Sequence, residues 1–189
     1  DYTFVDKYLA KHYKLLEGES LRLKDGFQKV KLPDKRRRGG VLGMAAVLTV
    51  SANGIETSPV LRGVFVSENI LGVVPPPPPD EVPPVEPDVR GATTLRQRLA
   101  KHLDSKTCAE CHRKIDPPGF GLEAFDELGR WRDRYPKAHK KASALKVDAS
   151  GEMPSGEKFA GFSELRKILV TTRAEVFKRH LISTVLTHA

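Results

Sequence analysis

The sequence predicts a mainly α-helical protein with a small β-hairpin and long irregular, proline-rich connections. Three observations carry that expectation. Apolar residues recur at helical spacing in most of the stretches able to form a core. Only short pieces, 27–32 and the glycine-bearing 147–161, read as extended chain and turn. Residues 75–87 are dense in proline and suit neither helix nor sheet. With 189 residues, 39% of them hydrophobic and 30% charged, the chain is long enough for one ordinary domain or two small ones, and a core can form. Its longest apolar runs, such as 41–50, span about ten residues against the roughly 20 that a spanning helix needs, so no transmembrane segment is expected.

Taken in order, residues 1–16 place Phe4, Val5, Tyr8, Leu9, Tyr13 and Leu16 at helical spacing, with Lys7, Lys11 and Lys14 outside, and predict an amphipathic helix. A short extended piece is expected over 27–32. Residues 35–38 are a basic run ending in Gly39 and Gly40, and 41–50 are apolar. Asn53 and Gly54 signal a turn. Ser58 followed by Pro59 is a helix start, cap residue then proline, for a helix running through Val60, Val64 and Ile70 to Gly72. Five consecutive prolines, 75–79, then Pro83, Pro84 and Pro87, form a semi-rigid strap. It divides the chain into an N-terminal helical and extended segment, 1–92, and a second part, 93–189.

That second part restarts with Thr93 or Thr94 as cap and a helix through Leu95, Leu99 and Leu103, ending near Asp104. A proline-glycine loop over 116–121 should lead into a short helix around 122–128. A hairpin over 147–161 and two helices, 163–170 and 174–188, close the chain. Residue 1 is aspartate, no signal pattern follows it, and the last residues still read as helix, so the chain is expected to be a processed or excised piece of something longer.

Charge is distributed unevenly. The formal net charge is +8; residues 1–92 hold 13 basic and 12 acidic side chains, residues 93–189 hold 19 and 12. The basic stretches lack the interleaved aromatics that stack on bases, so nucleic acid is not an expected partner. There are two cysteines, too few for a disulfide framework.

Both cysteines sit in one motif, Cys108-Ala109-Glu110-Cys111-His112. This is the attachment pattern of a c-type haem. Two thiols one helical turn apart can add to the two vinyl groups of one haem edge, and the adjacent histidine then reaches the iron. A zinc site competes, but it needs a fourth ligand and no second cysteine pair exists. A thioredoxin-like pair competes too, but it follows a buried strand, whereas residues 103–107 are polar and helix-ending. Haem c, one per chain, is the preferred reading, in a cytochrome c-like helical domain spanning 93–189. His112 is the expected proximal ligand, oriented by a backbone carbonyl of Asp116, Pro117 or Pro118. Arg130, Trp131 and Arg132 offer three donors in a row for haem propionates. Candidates for the far side of the iron are Met153, in a turn well beyond the motif, and His102, on the preceding helix. Met44, His139 and His180 are weaker ones, and an open sixth position stands as a further alternative.

The segments RGGVLGMAAVLTVSANGIETSPVLRG (38–63), PPPPPDEVP (75–83), TLRQRLAKHLDSKTCAECHRKIDPPGFGLEAFDELGRWR (94–132) and VDASGEMPSG (147–156) together resemble the planctomycete-type cytochrome c family. These are large secreted proteins in which domains of uncharacterised function flank a haem motif. The most specific segments are TSPVLRG, CAECH and DPPGFGLEAFD. The resemblance implies that 1–33 is the tail of one domain, 38 to about 132 the haem-bearing one, and the rest the start of a third. It also implies export to the periplasm or beyond, covalent haem c and electron transfer, and it weakens Met153, the preferred sixth ligand, in favour of carrying both Met153 and His102. The expected function is therefore electron transfer outside the cytoplasm, within a larger protein or complex. The basic second part would steer the haem edge towards a redox partner with an acidic docking surface. The alternative is a haem enzyme module, such as a peroxidase, with an open sixth site.

Overall fold

The computed structural model describes residues 2–15, 25–32, 37–77, 94–102, 106–137 and 143–188, the side chains at 101, 102, 106, 107 and 188 aside. Most of the strap, 78–93, and His139 lie outside the described residues. Among them the chain is mainly α-helical, with two small two-stranded sheets. No helix there is long and apolar enough to cross a membrane.

The N-terminus departs from the expected helix over 1–16. Tyr2–Val5 is a strand, β1, and only Lys7–His12 is helical, α1. Two local facts decide this. Asp6 is extended and its Oδ1 accepts from the Leu9 amide at 2.8 Å, so the helix starts after it. Residues 2–5 instead pair antiparallel with β2, Gln28–Lys31, in the register Tyr2 to Lys31 and Val5 to Gln28. Long-range pairing has outweighed a helical period that the strand's own residues also satisfy. Val5, Ala10 and Val30 form a small cluster of their own.

After a short 3-10 turn, Val41–Gly43, comes α2, Ala45–Val50. The Asn53 side chain closes the expected turn by accepting from the Ile55 and Glu56 amides. Helix α3, Pro59–Asn69, starts where the sequence places it: the Ser58 hydroxyl accepts from the Leu61 amide and Pro59 occupies the first turn. Helix α4, Leu95–His102, opens on Thr94, which exchanges hydrogen bonds with Gln97 in a capping box.

The largest revision concerns the motif helix. Helix α5 runs from Lys106 to Phe120, straight through Pro117 and Pro118, and 121–124 is a turn. The expected loop at 116–121 and helix at 122–128 are therefore replaced by one long helix and a tight turn. A proline inside a helix costs about 3 kcal/mol, but both prolines here fall in the last turn and have φ suited to it. Packing supplies the offset. Pro118 is fully buried, and α5 lies against α3 with backbones in contact. A Cβ on Gly63 would come within 2.0 Å of the Ile115 carbonyl oxygen, and one on Gly119 within 1.7 Å of the Pro59 oxygen. Only glycine lets the two helices approach so closely.

The strands β3, Gly151–Glu152, and β4, Lys158–Phe159, form the expected hairpin. Helices α6, Phe162–Val170, and α7, Ala174–His188, follow. The main core joins Leu42, Leu48, Val66 and Ile70 to Leu122, Phe125, Phe159, Phe162, Leu165 and Leu169. Residues on both sides of the strap thus share one core, and the division at residue 92 does not separate two cores. Phe125 is its hub, with the Phe162 ring edge-on at 5.0 Å and Trp131 at 5.3 Å.

Gly119→Ala should cost about 3 kcal/mol in urea unfolding, because α3 and α5 must move apart. Gly161→Ala is the control: its backbone is extended and a Cβ there meets only Ala149 at 4.0 Å, so its unfolding midpoint should stay close to the wild type.

Candidate haem-attachment site

Helix α5 presents Cys108 and Cys111 one turn apart, both half-buried and unpaired as free thiols. His112 follows on the same helix, its side chain 16% exposed. Its Nδ1 lies 3.0 and 3.1 Å from the two carboxylate oxygens of Asp116, one turn further on. The expected acceptor was a backbone carbonyl. Because α5 stays helical, its carbonyls point along the axis, and the i+4 side chain is the group that shares a face with His112. With Nδ1 committed to a carboxylate, an imidazole binding a metal here would use Nε2. The hydrogen bond to Asp116 raises the His112 pKa above its ordinary 6.5, with burial acting against it.

His112 and Asp116 open onto a cleft of about 570 Å3, floored by Phe120 and bounded by Arg96, Arg113 and Glu152. Arg96 is held in place: its guanidinium lies 3.9 Å over the Phe120 ring, donates to the Ser150 carbonyl at 2.5 Å and sits 3.0 Å from Asp148. Neither Arg96 nor Arg113 stood out in the sequence. Asp116 was hidden for a physical reason, since the two prolines after it argued for a loop in which i+4 spacing has no meaning.

Other expected site residues lie elsewhere. Pro118 faces away from His112, onto a second cleft that it shares with Met153. Met153 is 4% exposed and belongs to the main core. Arg130 and Trp131 line a third cleft; Arg130 pairs with Asp126 at 2.7 Å and the Trp131 indole donates to Asp133 at 3.1 Å. Arg132 reaches inward to Glu123 and Thr57. Cys108, Cys111 and His112 share helix α5, of these only His112 lines the cleft, and Met153, Arg130, Trp131 and Pro118 do not line it. His102 is the last residue of α4, and its side chain lies outside the described residues. Met44 is exposed ahead of α2, and the His180 ring packs on Gly72. Among the described residues no three His, Cys, Asp or Glu side chains converge to hold a metal ion.

What fixes this helix end is a buried polar cluster. Arg62 of α3 is fully buried and its guanidinium donates to the carbonyls of Leu122 at 2.9 Å, Phe125 at 2.8 Å and Asp126 at 2.8 Å. Glu123, also fully buried, accepts from Thr57 at 2.7 Å and from Arg132 at 2.5 Å. Burial pushes the Glu123 carboxyl up while the Arg132 and Arg62 guanidiniums pull it down, and burial lowers Arg62 to about 10, still protonated at neutral pH. These contacts join TSPVLRG to DPPGFGLEAFD, the two segments that stood out in the sequence beside the cysteine motif.

The fold and the site define a class: a mainly helical protein whose cysteine-histidine motif rides on a helix locked to its neighbour through buried arginine and glycine contacts. Residues 38–135, just over half of the chain, match the family described as PSCyt3, protein of unknown function (DUF1588). The chain belongs to that family, a planctomycete cytochrome c-associated domain family. No curated protein and no solved structure matches.

A pH series should expose the His112 to Asp116 bond in protein free of any metal at His112. A folded-state pKa raised above 6.5 contributes stability that is fully present below about pH 6.5 and is lost as pH rises through the raised value. Asp116→Asn should return the His112 titration, followed by NMR, towards 6.5. Its stability deficit should be largest below pH 6.5 and shrink at higher pH.

Proposed function

We propose that this chain is a c-type cytochrome segment that carries one haem, bound through Cys108 and Cys111 with His112 as an iron ligand, and transfers electrons outside the cytoplasm as part of a larger protein or complex. The observation that carries the reading is the helix itself. It holds two half-buried cysteines one turn apart, and next to them an imidazole oriented by Asp116 that lines a cleft of about 570 Å3. The membership of a cytochrome c-associated family supports it at the coarser level.

The donor set suits the group chemically. Thioether formation uses the sulfurs and leaves the imidazole as the motif's ligand. Phe120 gives the cleft an apolar floor. Arg96 and Arg113 supply cations at its rim for carboxylates. The Asp116 carboxylate fixes the tautomer of His112 and raises its basicity towards a metal. When bound, haem supplies a one-electron couple whose potential the protein sets through axial ligation, burial and hydrogen bonding. The formal charge of +8 favours a redox partner with an acidic face, and the periplasm or another exported location is the compartment in which the attachment would occur.

A second reading, a haem enzyme module with an open sixth position such as a peroxidase, has one observation in its favour. Met153 is buried in the core, and among the described residues the His112 cleft is lined by no methionine and no further histidine.

The test is a reduced-minus-oxidised absorption spectrum of protein made in a cytochrome c-maturing host, taken after acid-acetone extraction. The haem signal should stay with the protein and be lost to the extract in the double variant Cys108→Ala/Cys111→Ala. A spectrum shifted by carbon monoxide would select the open-site reading, and absence of any haem signal would refute both.

A further inference from the structure

Arg130, Trp131 and Arg132, expected in the sequence to hold propionates, form instead one wall of a separate cleft of about 310 Å3. The opposite wall is the end of α1 and the turn after it, including Lys14, and Arg37 and Arg38 lie between. Among the described residues, one lysine and four arginines, with His12, line this cleft against one carboxylate, Asp133. Asp126 and Glu123, behind the wall, offset Arg130 and Arg132, and Asp133 lies 3.9 Å from Arg37.

Arg38 stands apart from the others. It is only 7% exposed, yet its guanidinium donates to the carbonyls of Gly43 and Gly129, lies 3.7 Å over the Tyr13 ring, and pairs with no carboxylate among the described residues. Its burial is answered by carbonyl dipoles, Tyr13 and the more distant Asp126, with no carboxylate in ion-pair contact to add a closer opposite charge. An anion in the adjoining cleft would provide that charge. Guanidinium groups suit the task because their planar forks match the oxygens of phosphate and carboxylate groups.

We propose that this cleft binds a small multivalent oxyanion, carrying phosphate or carboxylate groups, between Lys14, Arg37 and Arg38 with Trp131 beside it. The cleft also spans the junction between the N-terminal elements β1, α1 and β2 and the family-matched residues 38–135. The contacts there are polar: His12 Nε2 at 2.7 Å from the Leu128 carbonyl, and the Tyr13 hydroxyl accepting from the Ala45 amide at 2.9 Å. An occupant touching both walls ties these two parts together. The cleft shares no lining residue with the one beside His112, so the proposal is independent of the haem reading.

Trp131 is the single tryptophan of the chain, so its fluorescence reports on this cleft alone. The intact protein is titrated with pyrophosphate and with citrate at constant ionic strength, sodium chloride serving as control, and calorimetry gives the stoichiometry whether or not haem quenches the indole. Saturable one-to-one binding of at least one of the two anions is expected, and the tighter one identifies the head group. The exposed-site variant Lys14→Glu/Arg37→Glu should bind about tenfold more weakly or worse, and Lys14→Ala alone should weaken binding in the same direction. No saturable response to either anion would overturn the proposal, as would unchanged affinity in the charge-reversed variant while circular dichroism shows it folded.

Discussion

A single buried guanidinium, that of Arg62, holds together the parts of the chain that matter for the site. It leaves helix α3 and donates to three successive stretches of the turn after α5, at Leu122, Phe125 and Asp126, with Leu48 of α2 within 3.4 Å. The Leu122 and Asp126 carbonyls also accept the Phe125 and Gly129 amides, so the guanidinium takes up their second lone pairs and answers the Phe125 carbonyl. In a core, acceptor capacity left bare costs free energy. One planar guanidinium reaches three such carbonyls at once from a rigid fork, a spread that the compact ammonium of lysine does not match. The charge that this buries is balanced across Glu123, which Thr57 and Arg132 complete.

The glycine contacts and the arginine act at the two ends of one problem. Gly63 and Gly119 let α3 and α5 touch along their backbones, and Arg62 then secures the chain leaving α5. Between them the helix carrying Cys108, Cys111 and His112 is held along its buried face, so the opposite face is presented in a fixed orientation. Asp116 belongs to the same rigid turn of helix, and its hold on His112 is a consequence of that rigidity as much as of its charge. A site supported this way suits a cofactor whose ligand must not reorient between two oxidation states.

The sequence was informative where a signal was local. Ser58 with Pro59, Thr94, and Asn53 with Gly54 each carry their own hydrogen-bond chemistry and mark the starts and turns found in the structure. The cysteine-histidine spacing was legible for the same reason. What escaped was set by partners distant in the chain. Residues 2–5 have a helical period but form a strand because 28–31 pairs with them. Pro117 and Pro118 look like helix breakers, yet the helix persists because α3 packs on it. Arg62 gave no local signal, because the turn it serves begins some 60 positions later. Arg130 and Trp131 were close to the motif in sequence but the turn at Gly129 carries them to another face of the molecule.

The central claim, that Arg62 is the constraint on which the motif helix depends, is tested most directly by Arg62→Met, which keeps an unbranched side chain of apolar character while removing the donors. Urea unfolding combined with amide hydrogen exchange should show a loss of about 3–5 kcal/mol, with protection lost first in residues 106–126. A variant within about 1 kcal/mol of the wild type, with exchange in α5 unchanged, would contradict the account.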